Sequence, residues 1–129
     1  MPATCEISIQ EDLVRVRIAG TSTMEEYSRQ RSEIAEAVRA SGTRRLLLDL
    51  QEAVFDISLM DLYSICSTAY DVYPPGTRVA AVIGPSTLAV DRIRFGEDVA
   101  ANRGAALRAF HDEDAARRWL DAGGGASGP

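Results

Sequence analysis

The sequence predicts an α/β domain in which a mostly parallel sheet of five strands carries four helices. Two continuous apolar runs, at 45–50 (RLLLDL) and 78–84 (RVAAVIG), are typical of strands that are covered on both faces. From the second strand onward, each strand is predicted to reach the next through a helix, which requires parallel pairing and right-handed crossovers. The alternating apolar residues at the start of the chain predict an antiparallel hairpin.

Local periodicity and capping residues define the first elements. Apolar and polar residues alternate over Glu6–Gln10 and again over Leu13–Ala19, which predicts two strands with one solvated face. Thr23 and Glu26 have the spacing of a capping box, so a helix is expected to begin there and to continue to about Ala40.

The rest of the chain is predicted as three strand–helix repeats. Apolar residues recur at helical spacing after the first buried strand, and Pro74-Pro75-Gly76 predicts a sharp end to that helix. Ser86 or Thr87 is expected to cap the third helix. In order, the elements are a strand at 45–50, a helix at 59–73, a strand at 78–84, a helix ending near 102, a strand at 105–110 and a helix from 112.

Composition limits the possible partners. At 129 residues the chain is predicted to be one domain, residues 1–122, followed by a flexible glycine-rich tail at 123–129. The net charge of −5 argues against nucleic acid or an anionic membrane as the partner. No apolar stretch approaches the ~20 residues of a membrane span, so no membrane insertion is expected. The start lacks the features of a signal peptide, which favours a cytoplasmic location.

The residue types present give little support to catalysis. All basic residues are arginines, so a P-loop lysine and a Schiff-base lysine are excluded. Cys5, Cys66 and the single His111 stand far apart and do not form a metal-binding motif. We therefore expect no enzyme activity, no metal and no cofactor.

Four segments, in this order and spacing, carry a family resemblance. They are the hairpin end Ile18-Ala-Gly20 with its threonine-capped helix, the two buried strands, and the ending Arg108-x-Phe110…Ala115…Trp119-Leu120. The chain resembles the SpoIIAA-like family, small bacterial proteins related to STAS domains and to the CRAL-TRIO lipid-binding fold. The resemblance implies a five-stranded sheet in sequential strand order. It also implies a non-enzymatic, cytoplasmic regulatory domain that binds a protein partner.

Ser58 is the candidate phosphorylation site that follows from this resemblance. STAS proteins of the anti-sigma-antagonist type carry Asp-Ser-Ser-Gly after the middle strand and are phosphorylated on the second serine. Ser58 falls at that serine, while Ile57 and Leu59 replace the first serine and the glycine. Ser58 also begins a Ser-x-x-Asp pattern, which predicts an N-cap. The two roles are compatible, because a helix start is where a phosphate would meet free amides.

A tyrosine-rich helix face provides a second hypothesis. Tyr63, Cys66 and Tyr70, with Ile93 of the next helix, either pack as core or line a pocket for a small apolar ligand such as a lipid, as in CRAL-TRIO relatives. The alternative function is thus a carrier or sensor of such a ligand. Because tyrosine-rich helices of small domains often mark interfaces, we also expect a homodimer.

Overall fold

The computed structural model describes residues 3–10 and 12–126, with side chains through residue 122. Five strands form one sheet in the order β1-β2-β3-β4-β5, in which β1 and β2 are antiparallel and the other pairs are parallel. The strands are β1 (Thr4–Gln10), β2 (Leu13–Thr23), β3 (Arg45–Asp56), β4 (Arg78–Ile83) and β5 (Ala106–Phe110). The helices are α1 (Met24–Ser41), α2 (Leu59–Ser67), α3 (Ala69–Val72), α4 (Val90–Asn102) and α5 (Glu113–Ala126). The predicted fold class and strand order are confirmed.

The two apolar runs are neighbouring inner strands. β3 and β4 pair in parallel from Arg45↔Arg78 to Leu50↔Ile83. Leu46 and Leu48 point to the face covered by α1, α2 and α4, whereas Leu47 points to the face covered by α5. Leu46 and Leu47 are fully buried, which explains why the run shows no polar alternation.

The described residues contain five helices, so the predicted count of four is wrong. The helix expected at 59–73 is interrupted at Thr68, whose hydroxyl donates to the carbonyl oxygen of Ser64 at 2.6 Å. Arg31 of α1 donates to the carbonyl oxygen of Ile65 (2.8 Å) and to Thr68 Oγ1 (3.0 Å). A side chain from another element thus supplies hydrogen bonds at the break, which apolar periodicity does not reveal.

β2 and β3 are both longer than predicted, because their additional residues pair with each other. β2 continues to Thr23 and β3 to Asp56, paired from Ala19↔Glu52 to Thr23↔Asp56 after a register shift between Arg17 and Ala19. The sequence after Leu50 no longer shows a continuous apolar pattern, so these residues are in a strand because they pair with β2. α5 runs to Ala126 and takes in part of the predicted tail, of which residues 127–129 lie outside the described part of the chain.

The predicted cap of the third helix is also wrong. α4 begins at Val90, its N-cap residue is Ala89, and no side chain caps it. Ser86 is exposed. Thr87 is buried, and its side chain hydrogen-bonds to the main chain of β3 and of the residue after β4 instead of capping the helix. Its Oγ1 accepts from the backbone N–H of Gly84 (3.0 Å) and donates to the carbonyl oxygen of Leu50 (2.7 Å).

An ion-pair network holds α5 on its face of the sheet. Arg15 Nη2 of β2 donates to Asp49 Oδ2 of β3 (2.9 Å) and to Glu113 Oε1 of α5 (2.8 Å). Arg117, one turn further along α5, also pairs with Glu113 at 2.9 Å. Hydrogen bonding to Arg15 is the main reason that the pKa of Glu113 is lowered from its ordinary value.

This network predicts an acid-dependent loss of stability. A carboxyl whose pKa is lower in the folded protein stabilises it fully above the unfolded pKa, and that contribution disappears as the pH falls through the folded pKa. Glu113→Gln should therefore lower the free energy of unfolding by about 0.5–1 kcal/mol at pH 7. The difference from the wild type should disappear at a pH low enough to protonate Glu113 in both the folded and the unfolded state. Urea unfolding from about pH 7 down to about pH 3 measures this. Glu52→Gln, in a more exposed pair with Arg17, is the control; equal effects of the two variants at every pH would contradict the prediction.

Candidate functional site

The loop between β3 and α2 presents Ser58 at a helix start. Ser58 is exposed and is the N-cap residue of α2. Its Oγ accepts from the backbone N–H of Asp61 (3.0 Å), and Asp61 Oδ2 accepts from the backbone N–H of Ser58 (3.1 Å). These reciprocal bonds form a complete capping box. The serine hydroxyl is therefore both a structural cap and a group accessible from solvent.

The capping box predicts the effects of substituting Ser58. Ser58→Ala should lower the free energy of unfolding by about 1 kcal/mol, because the N–H of Asp61 loses its acceptor. Ser58→Asp should be nearly neutral, because aspartate also caps and its charge suits the helix dipole. Thermal and urea unfolding of both variants measure this. No loss of stability in Ser58→Ala would show that the cap contributes nothing, and a loss in Ser58→Asp as large as in Ser58→Ala would show that aspartate does not replace it.

Next to Ser58, α2 leaves large apolar side chains in solvent. Leu59 is 47% exposed, Met60 72% and Tyr63 36%. We call these three residues the α2 patch. The hydroxyl oxygen of Tyr63 accepts a hydrogen bond from Arg103 Nη2 at 3.1 Å, so the end of α4 orients this ring. Ser58 and the α2 patch lie together within the short segment 58–63.

An apolar pocket of about 90 Å³ lies beneath α2, between α2, α4 and the sheet. Leu62 and Cys66 of α2 face Ile93 and Gly96 of α4 across it. Burial raises the pKa of the Cys66 thiol to about 11, so the thiol is neutral at physiological pH and acts as an apolar wall. The remaining lining residues are mostly apolar: Tyr27, Leu48, Leu50, Phe55, Ile57, Ile65, Ala81, Ile83, Leu88, Arg92, Glu97, Leu107 and Ala109.

The two charged residues of the lining are bound to backbone groups. Arg92 Nη1 donates to the carbonyl oxygen of Ile57 at 3.0 Å, and Glu97 Oε2 accepts from the backbone N–H of Ala109 at 2.7 Å. These contacts tie α4 to the loop before α2 and to β5. The pocket consequently offers an apolar interior with one guanidinium and one carboxylate.

The structure separates the predicted pocket residues into two pairs. Cys66 and Ile93 line the pocket, whereas Tyr63 and Tyr70 do not. Tyr70 is 55% exposed and lies beside Gly104, at the other end of the sheet. The buried residues of α2 and α3 are Leu62, Cys66 and Ala69, followed by Tyr73 just after α3. Tyr63 directly follows the buried Leu62, and Tyr70 directly follows the buried Ala69. Successive residues of a helix are about 100° apart around its axis, so each tyrosine lies at the edge of the buried face.

Gly96 is a pocket residue that the sequence analysis missed. A Cβ added to it would lie only 3.0 Å from Cys66 Sγ, so the glycine allows α4 to approach α2 closely at the pocket wall. A glycine inside a helix is the signal for such a close approach. Within the described ranges, no group of three or more His, Cys, Asp or Glu side chains is placed to hold a metal ion. None of the described helices is both long and apolar enough to cross a bilayer.

Comparisons with known proteins identify the fold. No protein-family model matches the chain, and no curated protein matches it. An uncharacterized DUF3478-family protein from Shewanella loihica PV-4, with a SpoIIAA-like fold, is 22% identical over 92% of this chain and 93% of that chain, with a TM-score of 0.56. An anti-sigma factor antagonist from Mycobacterium paratuberculosis is 18% identical over 92% and 94%, with a TM-score of 0.64. The Bacillus cell fate determinant SpoIIAA in its phosphorylated form is 13% identical over 90% and 99%, with a TM-score of 0.54. The chain therefore has the SpoIIAA-like fold that its sequence pattern resembles.

Proposed function

We propose that the chain is a non-enzymatic, cytoplasmic regulatory domain that binds a partner protein through the α2 patch. The observation that carries this proposal is the exposure of Leu59, Met60 and Tyr63 beside an exposed serine. Grouped exposed apolar side chains on a small domain usually mark an interaction site. Met and aromatic residues are also enriched in such interfaces.

The similar structures support the class of partner. One of them is an anti-sigma factor antagonist, so an anti-sigma factor is our proposed partner class. Another is the phosphorylated form of SpoIIAA, which supports Ser58 as a phosphorylation site. A phosphate on Ser58 adds about two negative charges beside Asp61, whose carboxylate is already bonded to the Ser58 N–H. The added charge would change the electrostatics of the surface next to the α2 patch and so alter partner binding.

Binding to anti-sigma factors tests the proposal. We would titrate the purified chain, by calorimetry, with the anti-sigma factors encoded in the source genome. Met60→Arg should weaken binding at least tenfold, because a charge replaces the most exposed apolar side chain of the patch. The matched control is Ile9→Arg, which changes a similarly exposed isoleucine on β1, outside the patch. Binding that is unaffected by Met60→Arg, or absent with every anti-sigma factor, would contradict the proposal.

Phosphorylation is tested separately. We propose that the anti-sigma partner is also the kinase, which transfers the γ-phosphoryl group of ATP to the Ser58 hydroxyl and leaves ADP. Incubation of the chain with that partner and ATP should add one phosphate to the wild type and none to Ser58→Ala, as measured by intact mass. Ser58→Asp should weaken partner binding while leaving the melting temperature unchanged, since aspartate retains the cap. A phosphate on the Ser58→Ala variant, or full binding by Ser58→Asp, would remove Ser58 from the mechanism.

A second candidate function is suggested by the apolar pocket. We propose, as the alternative, that it takes a small apolar ligand or the end of a lipid chain. An apolar cavity of about 150 Å³ in another protein binds benzene, so about 90 Å³ suits a group of that size or smaller. Benzene added to the labelled protein should shift the NMR methyl signals of Leu62 and Ile93, with Leu47 on the α5 face as control. Comparing native with denatured mass would show a ligand that purifies with the protein. No selective shift and no bound mass would end this alternative.

A further inference from the structure

The two edges of the sheet are protected to different degrees. At the β5 edge, the backbone N–H of Ala109 donates to Glu97 Oε2 (2.7 Å), and that of Ala105, just before the strand, donates to the carbonyl oxygen of Ala100 (2.9 Å). Both acceptors belong to α4. The helix thus occupies donors along β5, as proteins commonly do to keep an edge strand from pairing with another chain.

The β1 edge has no such cover in the described part of the chain. Its seven residues pair with β2 in unbroken register, from Thr4↔Ala19 to Gln10↔Leu13. No described side chain or loop hydrogen-bonds to the main chain of β1 on its outer edge. The strand contains no proline, no lysine and no bulge, which are the usual means of blocking an edge. Ile9 on this strand is 58% exposed.

The sequence of β1 is complementary to itself in the antiparallel direction. With Ile7 opposite Ile7 of a second copy, Cys5 would face the second copy's Ile9 on the side of the sheet that carries the main core. Glu6 would face the second copy's Ser8 on the other side, so no two carboxylates would be opposed. Apolar cross-strand pairs stabilise such a ladder, and like charges directly opposite destabilise it.

We infer that two copies of this chain associate by antiparallel pairing of their β1 strands, centred on Ile7, to form a continuous ten-stranded sheet. The paired strands satisfy the outward N–H and C=O groups of β1 and cover Ile9. A second copy is favoured over a strand of an unrelated protein, because β1 itself supplies both residues of each apolar pair, Ile7 with Ile7 and Cys5 with Ile9. The interface lies on an edge strand and leaves the α2 patch free.

Oligomeric state tests the interface. Sedimentation velocity from about 1 μM to about 1 mM should give a dimer of the 13.9 kDa chain that dissociates on dilution. Ile9→Arg should raise the dissociation constant at least tenfold. At concentrations where both proteins are monomeric it should not lower the melting temperature, because the Ile9 side chain of the single chain is already largely in solvent. Met60→Arg, an equally drastic change at another exposed apolar position, should leave the dimer intact. A wild type that stays monomeric at about 1 mM, or a dimer weakened by Met60→Arg and not by Ile9→Arg, overturns the inference.

Cross-linking tests the register. In the Cys5→Ser background, Ile7→Cys places two thiols in directly opposed positions, about 5 Å apart at Cβ. Mild oxidation should yield a covalent dimer. Ile9→Cys in the same background is the matched control: it faces the second copy's position 5, which is then serine, and should give little covalent dimer. Equal or greater cross-linking at position 9 overturns the register. The partner-binding test of Met60→Arg is independent, so failure of the dimer and failure of the proposed function give different results.

Discussion

Gly84→Ala is expected to destabilise the protein by about 3 kcal/mol or to prevent folding. Gly84 directly follows Ile83, the last residue of β4. The neighbouring strand β3 continues beyond this point to Asp56. A Cβ at this position would overlap the carbonyl oxygen of Gln51 and lie 2.8 Å from its carbonyl carbon. Since the obstacle is backbone of a neighbouring strand, no side-chain rotation relieves it, and the strand ends must move apart.

Urea unfolding of Gly84→Ala measures the effect. A loss of about 3 kcal/mol corresponds to a midpoint lower by roughly 1–3 M urea at ordinary slopes of about 1–3 kcal/mol per M. Ser86→Ala is the control from the same connection: Ser86 is exposed and does not cap α4, so its substitution should have almost no effect. A Gly84→Ala protein as stable as Ser86→Ala would show that the two strands do not approach this closely.

Thr87→Val is expected to cost about 2–3 kcal/mol, although the two side chains have nearly the same shape. The valine removes the acceptor of the Gly84 N–H and the donor to the Leu50 carbonyl oxygen. Thr87 is only 1% exposed, so water cannot replace either bond without opening the structure. Leaving buried polar groups unsatisfied is costlier than losing a bond at the surface.

Thr87→Ser separates the hydroxyl from the methyl group. Serine keeps the oxygen and loses one methyl, so it should cost about 1 kcal/mol or less. Unfolding midpoints of the two variants, measured side by side, give the comparison. A Thr87→Val protein as stable as the wild type, or more stable than Thr87→Ser, would show that the two hydrogen bonds do not contribute as expected.

The sequence by itself determined the class and order of the fold. The runs at 45–50 and 78–83 are apolar on both faces, and only strands covered by helices on both sides accommodate them. The capping box at Thr23 and Glu26 is local, because both partners lie within four residues, and it is present as predicted. The Ser58 cap is equally local and was predicted for the same reason.

Tertiary structure decided the features whose partners are distant in the chain. Arg31 bonds at the break between α2 and α3 from 34 and 37 residues away, and the later parts of β2 and β3 are strands because they pair with each other. Thr87 bonds Leu50 instead of capping a helix, since the middle of β3 lies within its reach only in the folded protein.

The candidate site shows the same division. Ser58 could be located from sequence because a cap and its helix are neighbours. The pocket could not, since Cys66 and Ile93 meet only when α2 packs on α4. Tyr63 misses the pocket by one residue of helical rotation, and Tyr70 lies at the other end of the sheet. Periodicity shows that a helix has an apolar face, but the width of that face depends on what packs against it. The exposure of the α2 patch and of the β1 edge is likewise set by which neighbours the fold brings to each surface, and this is a property of the three-dimensional arrangement.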